Sequence, residues 1–379
     1  MSQVLQLIDA LRRRPVASRA ELQEDTGLSA ASISRGLAQL RRDGLVVEGS
    51  ASGSGVGRPP RVVRFQPSAA HVVGIDAGGS HVRVVLADLE GRTSARSTVV
   101  LRPARNGAAV VDRIAAAACR LIEDSEGRPV AAAAGISGIV DAANGTVLLS
   151  PDLPGLKGCE VAALLSDRLE LPVAIDNDDL LAAAGEAAFG AAEGRTDVVF
   201  LSIGLGLGAG LIVGGRPVRG TRSSAGAIAY FAPGPLEDRA SGRAIPRRYA
   251  QGARETEAKS PRRSAQRVFE LAEAGDPIAR SVVDDAIEAL TELVVNVAAL
   301  LDPQVVVLGG GIARGQPALV KELSTRVRRM LPFPPQVVPS RLGEDAVALG
   351  AASLALTLGQ RRLAGVAAEP GRLGELEFV

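Results

Sequence analysis

The segment Val72-Val73-Gly74-Ile75-Asp76-Ala77-Gly78-Gly79-Ser80 joins a run of apolar residues to a turn rich in glycine. The apolar run predicts a buried β-strand that ends near Asp76, and a second strand is expected at 82–86. Glycines after such a strand let main-chain N–H groups face an anion, because no side chain stands in the way. The pattern indicates a site for phosphate, or for another small polar ligand, at Asp76, Gly78, Gly79 and Ser80.

The same order of strand and glycine turn recurs twice further along the chain. Residues 198–215 read as strand, glycine turn and strand, and residues 305–311 read as a buried strand that ends in a turn. The glycines of these two turns are Gly204, Gly206, Gly208, Gly309, Gly310 and Gly311. Residues 349–352 are expected to open a late helix. Three such turns spread over two lobes predict a ligand cleft between domains.

Length and charge indicate a small head followed by a body of two lobes. The chain has 379 residues and a net charge of +1. This length is sufficient for three units. Residues 1–66 hold ten arginines, no lysine and six acidic residues, an excess of about four positive charges over this segment. The positive charge is therefore concentrated where a DNA-binding head needs it.

The cysteines, the histidines and the length of the apolar runs argue against metal-binding, exported and membrane proteins. The two cysteines, Cys119 and Cys159, and the two histidines, His71 and His81, fit no metal-binding motif by their spacing. No apolar run reaches eighteen residues, and no basic-then-apolar leader opens the chain. We therefore expect a cytoplasmic protein with reduced thiols, no metal and no membrane contact.

The first 42 residues predict three helices. Apolar residues recur at helical spacing from Val4 to Leu11, and Pro15 ends this first helix near Arg14. Ser18 and Glu21 match a capping box that opens a second helix, and Gly27 supplies the turn after it. Ser29 then caps a third helix whose apolar face is formed by Ile33, Leu37 and Leu40.

Residues 45–65 predict a wing beside these helices. Residues 45–48 and 61–65 read as paired strands, and the loop between them carries Arg58. A winged helix places its third helix in the major groove, while an arginine on the wing enters the minor groove or grips phosphate. The residues predicted to face DNA are Ser29, Ala30, Ala31, Ser32, Ser34, Arg35 and Arg58. The alternative is a small helical bundle that makes protein contacts and has a solvated arginine face.

Six further motifs lie at 57–60, 76–80, 135–141, 151–155, 176–179 and 204–210. Together with the helix-turn-helix they resemble the ROK family, which groups repressors and sugar kinases on a two-lobed actin-like ATPase fold. The resemblance runs from the helix-turn-helix to about Leu358, and the head resembles that of the repressor branch.

The resemblance implies roles for particular residues. The turns at Asp76 and Gly204 are where family kinases hold the phosphates of ATP, and the turn at 309–311 lies by the adenosine. Asp178 matches the carboxylate that takes the proton of the sugar hydroxyl. Asn177 and Asp152 match groups that contact sugar hydroxyls. The alternative is that the acidic run 176–179 caps the following helix.

One stretch departs from the family pattern. Residues 225–230 read Ala-Gly-Ala-Ile-Ala-Tyr, so Ala227 replaces a glutamate and Tyr230 a histidine that grip the sugar in family members. The cysteine cluster that binds zinc is also missing from the following residues. Two interpretations remain open: the cleft is retuned for another ligand, for which Arg219, Arg222 and Arg243 suit an anion, or the body is mainly a dimerisation scaffold.

These features predict a regulator that binds operator DNA as a dimer and responds to a sugar or sugar derivative in the cleft. We expect it to require no cofactor. The alternative is an active sugar kinase with a DNA-binding head, which would require ATP and magnesium. A DNA-binding protein without small-molecule input is the third possibility. The expected boundaries are 1–66 for the head, 71–180 and 181–360 for the two lobes, and 361–379 for an unassigned tail.

Overall fold

The computed structural model describes residues 2–50, 61–101, 106–230, 236–255 and 264–366. These residues divide into two compact units. The first unit holds the chain up to Asp176 and again from Ala351, and the second unit holds Asn177–Gly350. The chain thus leaves the first unit four residues before the predicted lobe boundary at 180, and it returns before the predicted end of the large lobe at 360.

The first unit begins with three helices at the predicted places. They are α1 (Gln3–Arg13), α2 (Arg19–Thr26) and α3 (Ala30–Arg42). Ser18 and Glu21 form the capping box of α2, and Gly27 ends that helix with a φ of 68°. Because the apolar faces of the helices pack together, Leu7, Ile8, Leu11, Leu22, Ile33, Leu37 and Leu40 are buried.

A three-stranded antiparallel sheet completes this head. Its strands are β1 (Val16–Ser18), β2 (Val46–Ser50) and β3 (Arg61–Phe65), and β3 lies in the centre. The pairing of β2 with β3 follows the prediction, with Val46 opposite Phe65 and Ser50 opposite Arg61. Strand β1 was not predicted, because three residues are too few for a periodic pattern.

The rest of the first unit is built on a five-stranded sheet. In chain order its elements are β4 (Ala70–Ala77), β5 (His81–Asp88), β6 (Thr93–Val100), α4 (Gly107–Glu123), β7 (Arg128–Ile136), β8 (Ile139–Asp141), β9 (Thr146–Leu149), α5 (Val161–Leu169) and β10 (Val173–Asn177). The sheet order is β10-β7-β4-β5-β6, and β8 pairs with β9 in a separate hairpin. All eight residues of β4 are buried, as expected of a central strand. The glycine turn 78–80 therefore leaves the middle of the sheet.

The second unit holds a second five-stranded sheet. Its elements are α6 (Asp178–Phe189), β11 (Val198–Ile203), β12 (Leu207–Val213), β13 (Arg216–Pro217), α7 (Leu236–Ala240), α8 (Ala244–Glu255), α9 (Ala265–Glu273), α10 (Pro277–Leu301), β14 (Val305–Gly309), α11 (Gly310–Gly315), α12 (Pro317–Met330) and β15 (Gln336–Pro339). The strand order is β13-β12-β11-β14-β15. Residues of β11 alternate between two apolar cores, with Val199 and Leu201 in one and Val198 and Phe200 in the other.

The last helix, α13 (Ala346–Leu363), begins in the second unit and ends in the first. It opens at Ala346 and not at Leu349, where the sequence predicted its start, and it extends into the segment predicted as an unassigned tail. Residues 367–379 of that tail lie outside the described residues. Among the helices that the structure describes, none is both long and apolar enough to span a membrane.

Candidate functional site

The exposed face of α3 carries most of the residues predicted to contact DNA. Ser29 caps the helix by accepting a hydrogen bond from the Ser32 amide at 3.3 Å. Ala30, Ala31, Ser34 and Arg35 are exposed. The face therefore presents small side chains and one arginine.

Ser32, which is also predicted to contact DNA, is the least exposed residue of this face. The residue is only 8% exposed, because its hydroxyl folds back into the cap. There it accepts hydrogen bonds from the Ser29 hydroxyl at 3.0 Å and from the Arg35 guanidinium at 3.4 Å. The Ser32 hydroxyl thus bridges Ser29 and Arg35, and its contact with DNA stays a prediction. Arg58 and the rest of loop 51–60 lie outside the described residues.

Arg19 is a residue of this surface that the sequence reasoning missed. It is the first residue of α2, and its guanidinium donates to the Ser34 hydroxyl at 3.1 Å and to the Glu48 carboxylate at 2.8 Å. It links α2, α3 and β2 in this way. The position directly after the Ser18 cap was a usable signal, since the first turn of a helix leaves its side chains beside the preceding loop.

The first glycine turn brings together two predicted ligand-binding residues. A β-carbon at Gly79 would lie 2.8 Å from Asp152 Cβ, so only glycine fits beside this aspartate. Asp152 accepts a hydrogen bond from the Ser137 hydroxyl at 3.4 Å. The Ser80 hydroxyl lies 2.8 Å from His81 Nδ1.

Asp76, which precedes this turn, is paired with an arginine. Arg83 stands directly opposite Asp76 on β5, and its Nη1 lies 3.4 Å from Asp76 Oδ2. Asp76 is 8% exposed, so the ion pair compensates the charge of a buried carboxylate. This gives Asp76 a structural partner within the first unit.

The second glycine turn is constrained by packing inside the second unit. A β-carbon at Gly206 would lie 2.6 Å from Glu237 Oε1, and one at Gly208 would collide with the Asp179 carboxylate. The Gly204 amide donates to Gly206 O at 3.0 Å, and Gly204 O accepts from the Gly242 amide at 2.8 Å. The packing of Asp179 against Gly208 thus favours glycine at this position, whether or not a phosphate is bound.

The third glycine motif opens a helix, not a turn. Gly309 caps α11, which begins at Gly310. Gly310 has a φ of 84°, and a β-carbon there would lie 2.5 Å from Ile203 O. Gly311 has open space around it. The close approach to the end of β11 explains the glycine at 310.

Asn177 and Asp178 begin α6, and both of their predicted roles are compatible with this position. The Asn177 side chain caps the helix by accepting from the Leu180 amide at 2.9 Å, and its Nδ2 donates to Asp178 Oδ1 at 3.0 Å. The helix N-terminus favours the Asp178 carboxylate. The capping interpretation therefore holds for Asn177, and both side chains are half-buried.

The stretch that departs from the family pattern packs against β12. Gly226 has a φ of 85°, and its carbonyl accepts from the Ala209 amide at 3.0 Å. Ala227 precedes a short 3-10 turn at Ile228–Tyr230. The side chain of Tyr230 and residues 231–235 lie outside the described part of the chain. Both cysteines lie in the first unit, far along the chain from this stretch, and the described residues contain no group of three or more metal-ligand side chains.

The arginines expected to suit an anion have different surroundings. Arg243 places its amide 3.3 Å from Leu205 O, so it lies beside the second glycine turn. The carbonyl of Arg219 accepts from the Ala225 amide at 3.1 Å, which puts it next to the departing stretch. Arg222 is exposed.

A charged cluster fastens α7 and α8 to α10 directly after this stretch. Arg239 donates to Asp285 through Nη2 at 2.7 Å and to Glu292 through Nη1 at 3.2 Å. Arg248 donates to the other oxygen of Asp285. Two arginines on one carboxylate thus join three helices. Partners separated by 46 residues in the chain give no local sequence signal.

Comparisons with known proteins assign most of the body. Residues 72–358 match the ROK family. The chain is 31% identical to the bifunctional enzyme NanE/NanK of Brucella melitensis over 326 residues, which are 80% of this chain and 59% of that protein. It thus spans less than two thirds of that relative. It is 26% identical to the xylose repressor of Bacillus spizizenii over 375 residues, covering 94% of this chain and 95% of the repressor.

Two solved structures resemble the fold. A ROK family transcriptional regulator, described as a homologue of the E. coli MLC protein, covers 96% of this chain with a TM-score of 0.77 at 23% identity, and the match covers 97% of that chain. A ROK family glucokinase from Streptomyces griseus, solved with glucose and AMPPNP, covers 76% of this chain and is itself covered to 99%, with a TM-score of 0.66 at 28% identity. The glucokinase is thus matched over nearly its whole length by only part of this chain.

Proposed function

This chain belongs to the ROK family, and on that premise we propose that it is a transcriptional regulator, acting as a repressor. Its head is a winged helix-turn-helix that binds operator DNA, and two chains bind as a dimer. Its body is a sugar-kinase-like fold that responds to a sugar or a sugar derivative and thereby controls genes of carbohydrate metabolism.

The observation that carries this proposal is the head and its exposed α3 face. The family match begins at residue 72, so the head is additional to the part shared with kinases. The similarity to the xylose repressor of Bacillus spizizenii covers 94% of this chain, which includes most of the head. The face of α3 offers Arg35 and small side chains for close approach to base edges.

The effector is proposed to be recognised by the family's sugar-contacting positions. Asn177 and Asp178 supply polar groups at the start of α6, and Asp152 supplies a carboxylate. The replacement of a glutamate by Ala227 removes one hydrogen-bonding group, which costs an ordinary hexose about 1–3 kcal/mol. The body is therefore proposed to prefer a modified or anionic sugar, for which Arg219, Arg222 and Arg243 are the candidate contacts.

The alternative function, an active sugar kinase, is favoured by Asp178 and by the likeness to glucokinases. Ala227 counts against it, because it replaces a glutamate that grips the sugar in family members. The Asp76 carboxylate is also paired with Arg83 at 3.4 Å, so a cation bound at Asp76 would compete with this ion pair.

Two experiments on the full chain separate the two functions. In vitro selection from random DNA duplexes should enrich a sequence with two related half-sites about 10 base pairs apart, as expected for a dimer. Incubation with ATP, magnesium and a panel of hexoses should release no ADP above background. Failure to enrich any sequence, together with turnover that is lost in Asp178→Asn, would replace the regulator by the kinase.

A further inference from the structure

Three charged or polar side chains from different elements meet on the side of the head that carries the exposed face of α3. Arg19 on α2 donates to Ser34 on α3 at 3.1 Å and to Glu48 on β2 at 2.8 Å. The Arg19 side chain is 50% exposed, and that of Glu48 is 23% exposed. The guanidinium is thus fixed at two nitrogen atoms and still open to solvent.

The backbone of the head keeps this arrangement in place. The capping box of Ser18 and Glu21 sets the first turn of α2, where Arg19 lies. Glu48 lies opposite Val63 in the regular pairing of β2 with β3. Ser34 lies one turn into α3 from the Ser29 cap. None of the three residues therefore depends on a loop for its position.

Positive charge surrounds the Glu48 carboxylate. The hydrogen bond from Arg19 holds the pKa of Glu48 below its ordinary value, and the charges of Arg19, Arg41 and Arg61 act in the same direction. Glu48 consequently stays ionised at neutral pH. In a DNA-binding head an ionised carboxylate opposes the approach of phosphate. We therefore expect Glu48 to have a function that offsets this repulsion.

Arg19 retains N–H donors that Ser34 and Glu48 do not engage, and these donors suit the recognition of a base edge. A guanidinium has five N–H donors in a rigid fork, and Ser34 and Glu48 engage one nitrogen each. An arginine held in this way is preorganised, and a bidentate contact with a guanine edge depends on a fixed direction. A phosphate contact needs no such fixing. The neighbour of Arg19 is Ser34, in the half of α3 that reaches base edges in a recognition helix.

We propose that Arg19 reads a base edge beside Ser34, and that Glu48 is a positioning residue that holds the Arg19 guanidinium in the reading orientation. This inference rests on the proposed DNA-binding function. It adds a specificity-determining residue from α2 to those predicted on α3.

The test measures a specificity ratio, the Kd for a scrambled duplex divided by the Kd for the sequence that the wild-type chain selects. Arg19→Ala should lower this ratio about tenfold or more. Arg19→Lys should not restore it, because an ammonium group cannot make the bidentate contact. Glu48→Gln should bind the scrambled duplex more tightly and yet lower the ratio, which a purely electrostatic role of Glu48 does not predict.

A double-mutant cycle tests whether Glu48 acts through Arg19. In Arg19→Ala, the further change Glu48→Gln should leave the ratio unchanged, since no guanidinium remains to be positioned. Melting temperatures of the variants are compared with that of the wild type, so that loss of folding is recognised. A normal ratio in folded Arg19→Ala would overturn the inference while leaving the regulator intact. A wild-type chain that selects no DNA sequence would refute the proposed function, and this inference with it.

Discussion

Asp285→Asn tests the charged cluster that joins α7, α8 and α10. The variant keeps the size of the side chain but removes the charge on which Arg239 and Arg248 converge. The three side chains are each about 30% exposed. The loss is therefore smaller than for a fully buried pair, and we expect about 1–3 kcal/mol in the free energy of unfolding.

The assay is thermal unfolding of the full chain, with a neighbouring residue as control. A loss of 1–3 kcal/mol corresponds to a fall of roughly 2–12 °C in Tm for a unit of this size. Asp284→Asn removes the same charge from the next residue of α10, which is exposed, and should change Tm by less than about 1 °C, as expected of a surface substitution. Equal changes in Tm for the two variants would refute the stabilising role of the charged cluster.

The pH dependence gives a second readout of the same contact. The hydrogen bond from Arg239 is the chief cause that lowers the pKa of Asp285 in the folded protein, and Arg248 adds to it. A carboxyl whose pKa is depressed by folding stabilises the fold above its unfolded pKa, near 3.9, and this stabilisation is lost as the pH falls through the folded pKa. The difference in stability between wild type and Asp285→Asn should thus be full at pH 7 and shrink below about pH 4. A difference that grows toward acid pH would contradict the assigned ion pair.

Other substitutions test the caps, the glycines and the DNA face. Ser18→Ala should cost about 1 kcal/mol through loss of the capping box, measured as faster amide exchange in α2; unchanged exchange would contradict the role of the cap. Gly310→Ala should lower the free energy of unfolding by about 1–3 kcal/mol, because Gly310 has a positive φ and lies close to a carbonyl oxygen. Gly311 has open space around it, so Gly311→Ala should cost much less; chemical unfolding measures both. Arg35→Ala should relax sequence choice, while Arg58→Ala should weaken binding evenly across sequences and lower the salt slope by about one; the reverse pattern in binding titrations would exchange the two roles.

Local signals in the sequence predicted local structure well. Ser18, Glu21 and Ser29 fixed the starts of two helices, because capping depends on residues three positions apart. The strands on either side of the first two glycine turns were also predicted, and the family resemblance is confirmed by the match over 72–358.

Features that depend on distant residues were not predictable in this way. The Asp179 carboxylate lies against Gly208, a contact that no spacing reveals, while the phosphate role of this turn stays a prediction. Helical periodicity predicts an exposed Ser32, but it does not account for a hydroxyl that folds back into the cap. The convergence of Arg239 and Arg248 on Asp285 likewise arises only when three helices pack.

Recognition of DNA sequence by the head is tested most directly by the Kd of the full chain for its selected duplex and for a scrambled duplex at physiological salt. We expect the selected duplex to bind about 10³-fold or more tightly. We also expect the same chain to release no ADP from ATP in the presence of a hexose. Equal Kd values for the two duplexes, in a chain that phosphorylates a hexose, would contradict the proposed function.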